Sequence, residues 1–279
     1  MRPKTMTINH LNIESVRVSH RMTRYMTRYM TTGLLAGIMS IAAACGTKDA
    51  TGPLAPSGPQ GRVRFVNMIT DTTRGRVNVI LEGVPFGVNL TFAQATPASL
   101  AAPSTAFYAA VLSGSRTLVL KRTADTSRTV ATIPFTVADN QDRTVYAIGG
   151  ASGSAVTSFI STDENTAPAS GQTRLRVIQL SPTASAVDVF VTAVGADLAT
   201  ATPNVANAAY QAVSAYLALP AGTYQVRIVP AGTAPSSRAG AVIINVASLV
   251  LTAGTGRTIV AADNNVGGAP LRAFVLGDQ

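Results

Sequence analysis

The sequence predicts an all-β protein built as two tandem sandwich domains behind an export signal and a flexible tether. Two observations carry the fold: blocks of sequence recur in order about 110 residues apart, and each block has the polar–apolar alternation of a β-strand. A third sets the frame. What precedes the single cysteine, Cys45, has the layout of a cleaved signal rather than of a domain. The expected divisions are a signal segment over 1–44, a tether over 45–60, a first sandwich over 61–162, a linker over 163–171 and a second sandwich over 172–279.

In the signal segment, Arg21, Arg24 and Arg28 form a basic stretch free of acids. An uncharged run then follows from Gly33 to Ala44, built on Leu34, Leu35, Ile38, Met39 and Ile41. That run falls short of the roughly 20 residues a membrane-spanning helix needs. Ala42, Ala43 and Ala44 lead into Cys45, small side chains that let a peptidase cleft admit an extended backbone. The arrangement resembles the bacterial lipoprotein signal, which implies a diacylglycerol on the Cys45 thiol and cleavage just before it. Ala42 departs from the leucine most common at that position, and a cut elsewhere would leave Cys45 a free thiol. More than one acyl chain gives stable anchoring. Gly46, rather than an aspartate, resembles the pattern sent to the outer membrane in bacteria with two membranes. The first twenty residues are polar and MTRY occurs twice, at 22–25 and 26–29, so Met22 and Met26 are alternative starts.

The tether, GTKDATGPLAPSGPQ, is rich in Gly, Pro, Ser and Thr. Removing the signal also changes the charge. Of 22 basic and 13 acidic residues, six and one precede Cys45, leaving a formal charge of about +4 instead of +9. That balance offers no case for nucleic acid as a partner. Both histidines, His10 and His20, go with the signal. Ser-His-Asp and Cys-His catalysis, histidine acid–base chemistry and most zinc sites are thereby excluded. Only Lys48 and Lys121 remain for a Ser-Lys pair, and Lys48 lies in the tether.

The recurring blocks come in the same order in both copies. RVRFVNM (62–68) matches RLRVIQL (174–180), and RVNVIL (76–81) matches AVDVFV (186–191). YAAVLSGSRTLVL (108–120) matches YLALPAGTYQVRI (216–228), RTVYA (143–147) matches RTIVA (257–261), and SAVTSFIST (154–162) matches APLRAFVLG (269–277). In the first pair arginines alternate with apolar residues, predicting one wet face and one buried face. LPAGTY predicts a tight corner, with Gly114 and Gly222 supplying a backbone conformation that other residues resist. Residues 93–106 and 199–210 read as long loops or short helical turns. About seven short strands per copy, with turn signals at 8–12 residue spacing, predict an antiparallel, immunoglobulin-like sandwich. The linker is short and brings no apolar seam of its own, so limited mutual motion of the two sandwiches is expected.

RLRVIQLSPTASAVDVFV, YLALPAGTYQVRIVPAGT and LTAGTGRTIVAAD together resemble the domain-of-unknown-function 4397 family over about 172–279. The first copy diverges: Ile69-Thr70 replace Ser181-Pro182, Asn78 replaces Asp188, and Ser113-Gly114-Ser115 replace Ala221-Gly222-Thr223. The resemblance implies a secreted or surface-anchored β-sandwich module and no established activity.

Candidate chemistry is sparse. Asp188 reads as a solvent-facing strand residue or a ligand contact. The acid-rich turns at 138–142, 162–165 and 262–265 lack the spacing of a calcium loop, and Asp and Asn are ordinary turn residues. No metal or cofactor is therefore expected. Arg143-Thr144 and Arg257-Thr258 recur in both copies and read as anchors of a late strand, or as anion or sugar contacts. Arg62, Arg64, Arg74 and Arg76 offer a basic face to acidic headgroups or polysaccharide, or simply to solvent. AGTGR (253–257) lacks the ending of a phosphate loop and reads as a hairpin turn.

The function expected is that of a non-catalytic envelope protein held to the membrane through lipid on Cys45. It would serve in adhesion, architecture or ligand binding, with an envelope protein or polysaccharide as partner. The alternatives are a glycan-active hydrolase with paired carboxylates across a cleft and an accessory subunit of an envelope complex.

Overall fold

The computed structural model describes residues 58–97 and 107–278. The signal segment, Cys45 and the tether up to residue 57 lie outside them. The N-terminal half contains β1 (Gln60–Ile69), β2 (Val77–Leu81), β3 (Val84–Leu90), β4 (Ala95–Thr96), β5 (Ala109–Leu112), β6 (Gly114–Arg122), β7 (Asp125–Val137), β8 (Asp142–Gly149) and β9 (Val156–Asp163). The C-terminal half contains β10 (Gln172–Gln179), β11 (Val187–Thr192), β12 (Val205–Ala208), β13 (Leu217–Pro220), β14 (Gly222–Pro230), β15 (Ile244–Leu251), β16 (Gly256–Ala262) and β17 (Arg272–Gly277). Short edge strands such as β4 and β12 bring the number above the expected seven. β12 lies in a segment read as loop or helical turn, where four residues of Val, Ala and Asn give too short an alternation to register.

The chain is all-β, and both halves are sandwiches of two sheets. The first sheet of the N-terminal half runs β4-β1-β8-β9, with β5 also on β1, and its partner runs β3-β2-β6-β7. The C-terminal half repeats the plan as β13-β10-β16-β17 and β12-β11-β14-β15. Among the described residues pairing is antiparallel except at one equivalent place in each half, where β1 lies parallel to β8 and β10 parallel to β16.

The corners explain how one chain feeds two sheets. Ser113 separates β5 from β6, and Ala221 separates β13 from β14, so the chain changes sheet within a single residue. Gly114 sits at φ 113, a conformation that favours glycine, as the sequence predicts. Gly222 does not: its φ is ordinary and a Cβ there would meet only the Tyr224 ring at 3.6 Å. The AGTGR turn likewise connects β15 in one sheet to β16 in the other, so it is an inter-sheet corner rather than a hairpin.

Among the described residues three main apolar cores follow from these faces, beside a small cluster of Phe190, Leu198 and Val229. Val63, Phe65, Val79 and Leu118 fill the N-terminal sandwich, and Leu175, Val177, Val189 and Ile228 fill the C-terminal one. The third core lies between the halves. Val66, Met68, Tyr146 and Ile148 from β1 and β8 pack with Ile178, Leu180, Val260 and Leu276 from β10, β16 and β17. The central strands are thus buried on both faces, which is why VYAI and IVAA read as continuous apolar runs instead of alternating ones.

Candidate functional site

The face predicted to be wet is the face on which the two halves meet. Arg64 and Arg176 are 2% and 1% exposed. Arg64 Nε donates to Thr144 Oγ1 at 3.0 Å, Nη1 to the Gly277 carbonyl at 2.5 Å and Nη2 to Asp278 Oδ1 at 3.0 Å. Arg176 repeats the set: Nε to Thr258 Oγ1 at 2.8 Å, Nη1 to the Thr162 carbonyl at 3.0 Å, and Nη2 to Asp163 Oδ1. Each arginine therefore pairs with the aspartate at the end of the other half's last strand. Asp163, the first residue of the expected linker, ends β9. Tyr108 Oη donates to Asp163 at 2.8 Å and Tyr216 Oη to Asp278 at 3.2 Å. Each ring also lies under an arginine, with centroid distances of 4.5 Å for Arg64 over Tyr108 and 4.9 Å for Arg176 over Tyr216.

Burial alone would raise the Asp163 pKa. The Arg176 and Arg64 guanidiniums, with hydroxyl bonds from Thr144 and Ser161, override it and hold the carboxyl below its usual range. Burial pushes the Tyr108, Tyr146 and Tyr216 phenols well above theirs. Both Asp163 oxygens are engaged, Oδ1 by Arg176 and Ser161 and Oδ2 by Thr144 and Tyr108. Asp278 is engaged on both oxygens as well, by Arg64, Thr258 and Tyr216. Neither carboxylate lines the cavity beside Arg76 or the one beside Arg62.

The other singled-out residues also turn out to be structural. Asp188 is buried, not solvent-facing: its Oδ1 accepts the Asn207 amide at 2.8 Å, where Asn207 sits at φ 51 in a bulge. Asn78 does the same for Asn89 at φ 57. Asp139 accepts the Gln60 amide, Asp142 holds Arg62, and Asp263 accepts from Ser181, Thr183 and the Gly268 amide. Arg143 bonds Gln141, while Thr144 and Thr258 belong to the buried network. Arg74 pairs with Asp71 at 2.5 Å and caps the Gly150 and Ser154 carbonyls.

Of the four leading arginines, Arg62 lines a cavity of about 320 Å³ beside Asp142, and Arg76 lines a larger one. A cleft of about 490 Å³ lies between the halves, lined by Asp71, Arg76 and Phe92 from one and by Asn265, Arg272 and Phe274 from the other. Phe92 and Phe274 meet edge-on, with centroids 5.3 Å apart and planes at 83°. Buried Asn67 holds the loops that bring the first group there: its Nδ2 donates to the Gly75 carbonyl at 2.6 Å and to the Leu90 carbonyl at 3.0 Å. Arg272 starts β17 opposite Ala262. Asp71 is held low in pKa: burial would raise it, but hydrogen bonds from Arg74 and Thr73 prevail. Sequence reasoning missed Arg272, Phe92 and Phe274, since none falls in an unusual motif and their juxtaposition spans 180 residues of chain.

Comparison with known proteins adds little chemistry. The family described as Domain of unknown function (DUF4397) matches residues 61–190. That stretch is the N-terminal half and the start of the C-terminal one, not the 172–279 segment that carries the motifs. No match was found among curated proteins. A solved structure titled "Alpha-glucan binding by a streptococcal virulence factor" aligns at 9% identity over 78% of this chain and 96% of that one, with a TM-score of 0.23. A likeness that slight carries no inference about fold or ligand. Residues 61–190 thus resemble a family whose description assigns no activity.

Proposed function

We propose that the chain is a non-catalytic, lipid-anchored envelope protein whose two sandwiches, tandem copies of one module, act as a single rigid binding body. The reciprocal Arg64–Asp278 and Arg176–Asp163 pairing carries this reading. It ties the halves together through four buried charges and satisfies the acids that a glycan hydrolase would need free. The signal-like segment ending at Cys45 supplies the tether to the membrane, in the outer membrane where the organism has two. The matching strand orders and the matching Arg–Thr–Asp–Tyr sets support descent of both halves from one copy.

Intact mass of the membrane-extracted protein, beside a Cys45→Ser variant, tests the anchor. The expected mass is that of residues 45–279 plus acyl chains, with the acyl mass lost in the variant. An unmodified thiol or a retained N-terminal segment would remove the lipid anchor from the reading.

A further inference from the structure

We infer that the cleft between the halves is a binding site for an acidic saccharide, with Arg76 and Arg272 taking its carboxylate groups. The inference rests on the reading of the chain as a binding body and names what that body takes.

The lining has the mixture such a ligand needs. Arg76 and Arg272 are exposed, and among the described residues neither forms an ion pair. Arg76 makes one long contact, 3.4 Å to Asn89 Oδ1. Among the described residues the single carboxylate in the lining, Asp71, already receives Arg74 at 2.5 Å and two bonds from Thr73. The cleft therefore presents uncompensated positive charge in a planar, forked form that suits carboxylates bidentately. Phe92 and Phe274 offer apolar surface to the C–H face of a pyranose ring. Thr72, Thr91 and Asn265 supply hydroxyl and amide groups for its hydroxyls. A volume of about 490 Å³ lies within the range of small-ligand sites, roughly 300–1,000 Å³.

The positions equivalent by fold argue that the two arginines are not there for the architecture. Arg76 aligns with Ala186. Arg272 pairs with Ala262 as Thr157 pairs with Ile148, and so corresponds to Thr157. The aromatics differ in this: Phe92, before Ala93, has Tyr210, before Gln211, as its equivalent, and Phe274 has Phe159, so both halves keep a ring there. The other half thus builds the same strands and turns with no arginine at either site.

The test is calorimetric titration and amide-shift mapping of the membrane-extracted protein with digalacturonate. A neutral digalactoside and inorganic phosphate serve as comparison ligands. Saturable binding is expected, with shifts centred on Phe92 and Phe274, weakened about tenfold or more by Arg272→Gln and by Arg76→Gln. Arg128→Gln, at an exposed β7 residue that pairs with Asp125 and does not line the cleft, should leave binding unchanged. Equal affinity for the neutral sugar or for phosphate alone would overturn the assignment, as would binding indifferent to both arginine variants. Shifts centred elsewhere would overturn the cleft while leaving a binding body. Shortening of a longer galacturonate oligomer would instead overturn the non-catalytic reading.

Discussion

Asp163 accepts from Arg176, Thr144, Ser161 and Tyr108 and lies 3.7 Å from Arg64, so a single carboxylate serves both buried guanidiniums. Asp163→Asn leaves that positive charge buried with less compensation, and losing one partner of a buried pair costs about 3–5 kcal/mol. Urea denaturation should register a loss in that range. A loss below about 1 kcal/mol, the value of an exposed pair, would mean that the network is wet. The same residues set two pH limits. A carboxyl held below its unfolded pKa of about 3.9 stabilises the fold above that pH, and its contribution fades as pH falls further. Phenols raised above about 10 work in the opposite sense: their contribution is complete below pH 10 and is lost as pH rises beyond it. Denaturation midpoints should therefore fall on both the acid and the alkaline side. Phenolate absorbance should lag the model-tyrosine curve until the alkaline fall begins. Three of the five tyrosines that follow Cys45 ionising late together with unfolding is the expected signature.

At the scale of the element, β1 is the most constrained strand. It pairs with β8 along one edge, takes β4 and β5 along the other, and is buried on both faces. Its entry runs so close to the turn before β8 that a Cβ on Gly61 would lie 2.2 Å from Val137 Cγ1 and 2.6 Å from the Ala138 and Gln141 carbonyls. Gly61→Ala should cost about 1–3 kcal/mol as overpacking against backbone. Gly240→Ala, with nothing within 4 Å, should stay within about 0.5 kcal/mol. Equal midpoints for the two variants would argue against that approach. Strand identity here is legible in composition and spacing. The parallel pairing of β1 with β8 is not, because residue alternation reports which face is buried and carries no sign of the neighbour's direction.

At the scale of the whole molecule, the third core and the charge network predict that the halves unfold as one body. A single urea transition is expected, with methyl resonances of Leu118 and Ile228, one from each sandwich, disappearing together. Persistence of either set after the other has gone would show separable domains. The linker brings no seam, as its sequence indicates; the seam lies on the sheet faces, where arginines alternating with apolar residues look in isolation like a solvated surface.

The sequence by itself determined the β-sandwich class, and it carries strand-like blocks that recur and a single cysteine. These are local or periodic signals, written within ten residues or repeated about 110 residues on. Only the tertiary structure decided that Arg64 is buried, that Asp188 caps a bulge and that Arg76 and Arg272 share a cleft. Those facts depend on partners far along the chain, 214 residues away for Arg64 and Asp278. Burial of a charge is set by what packs over it, and no periodicity in one strand can report the face of another.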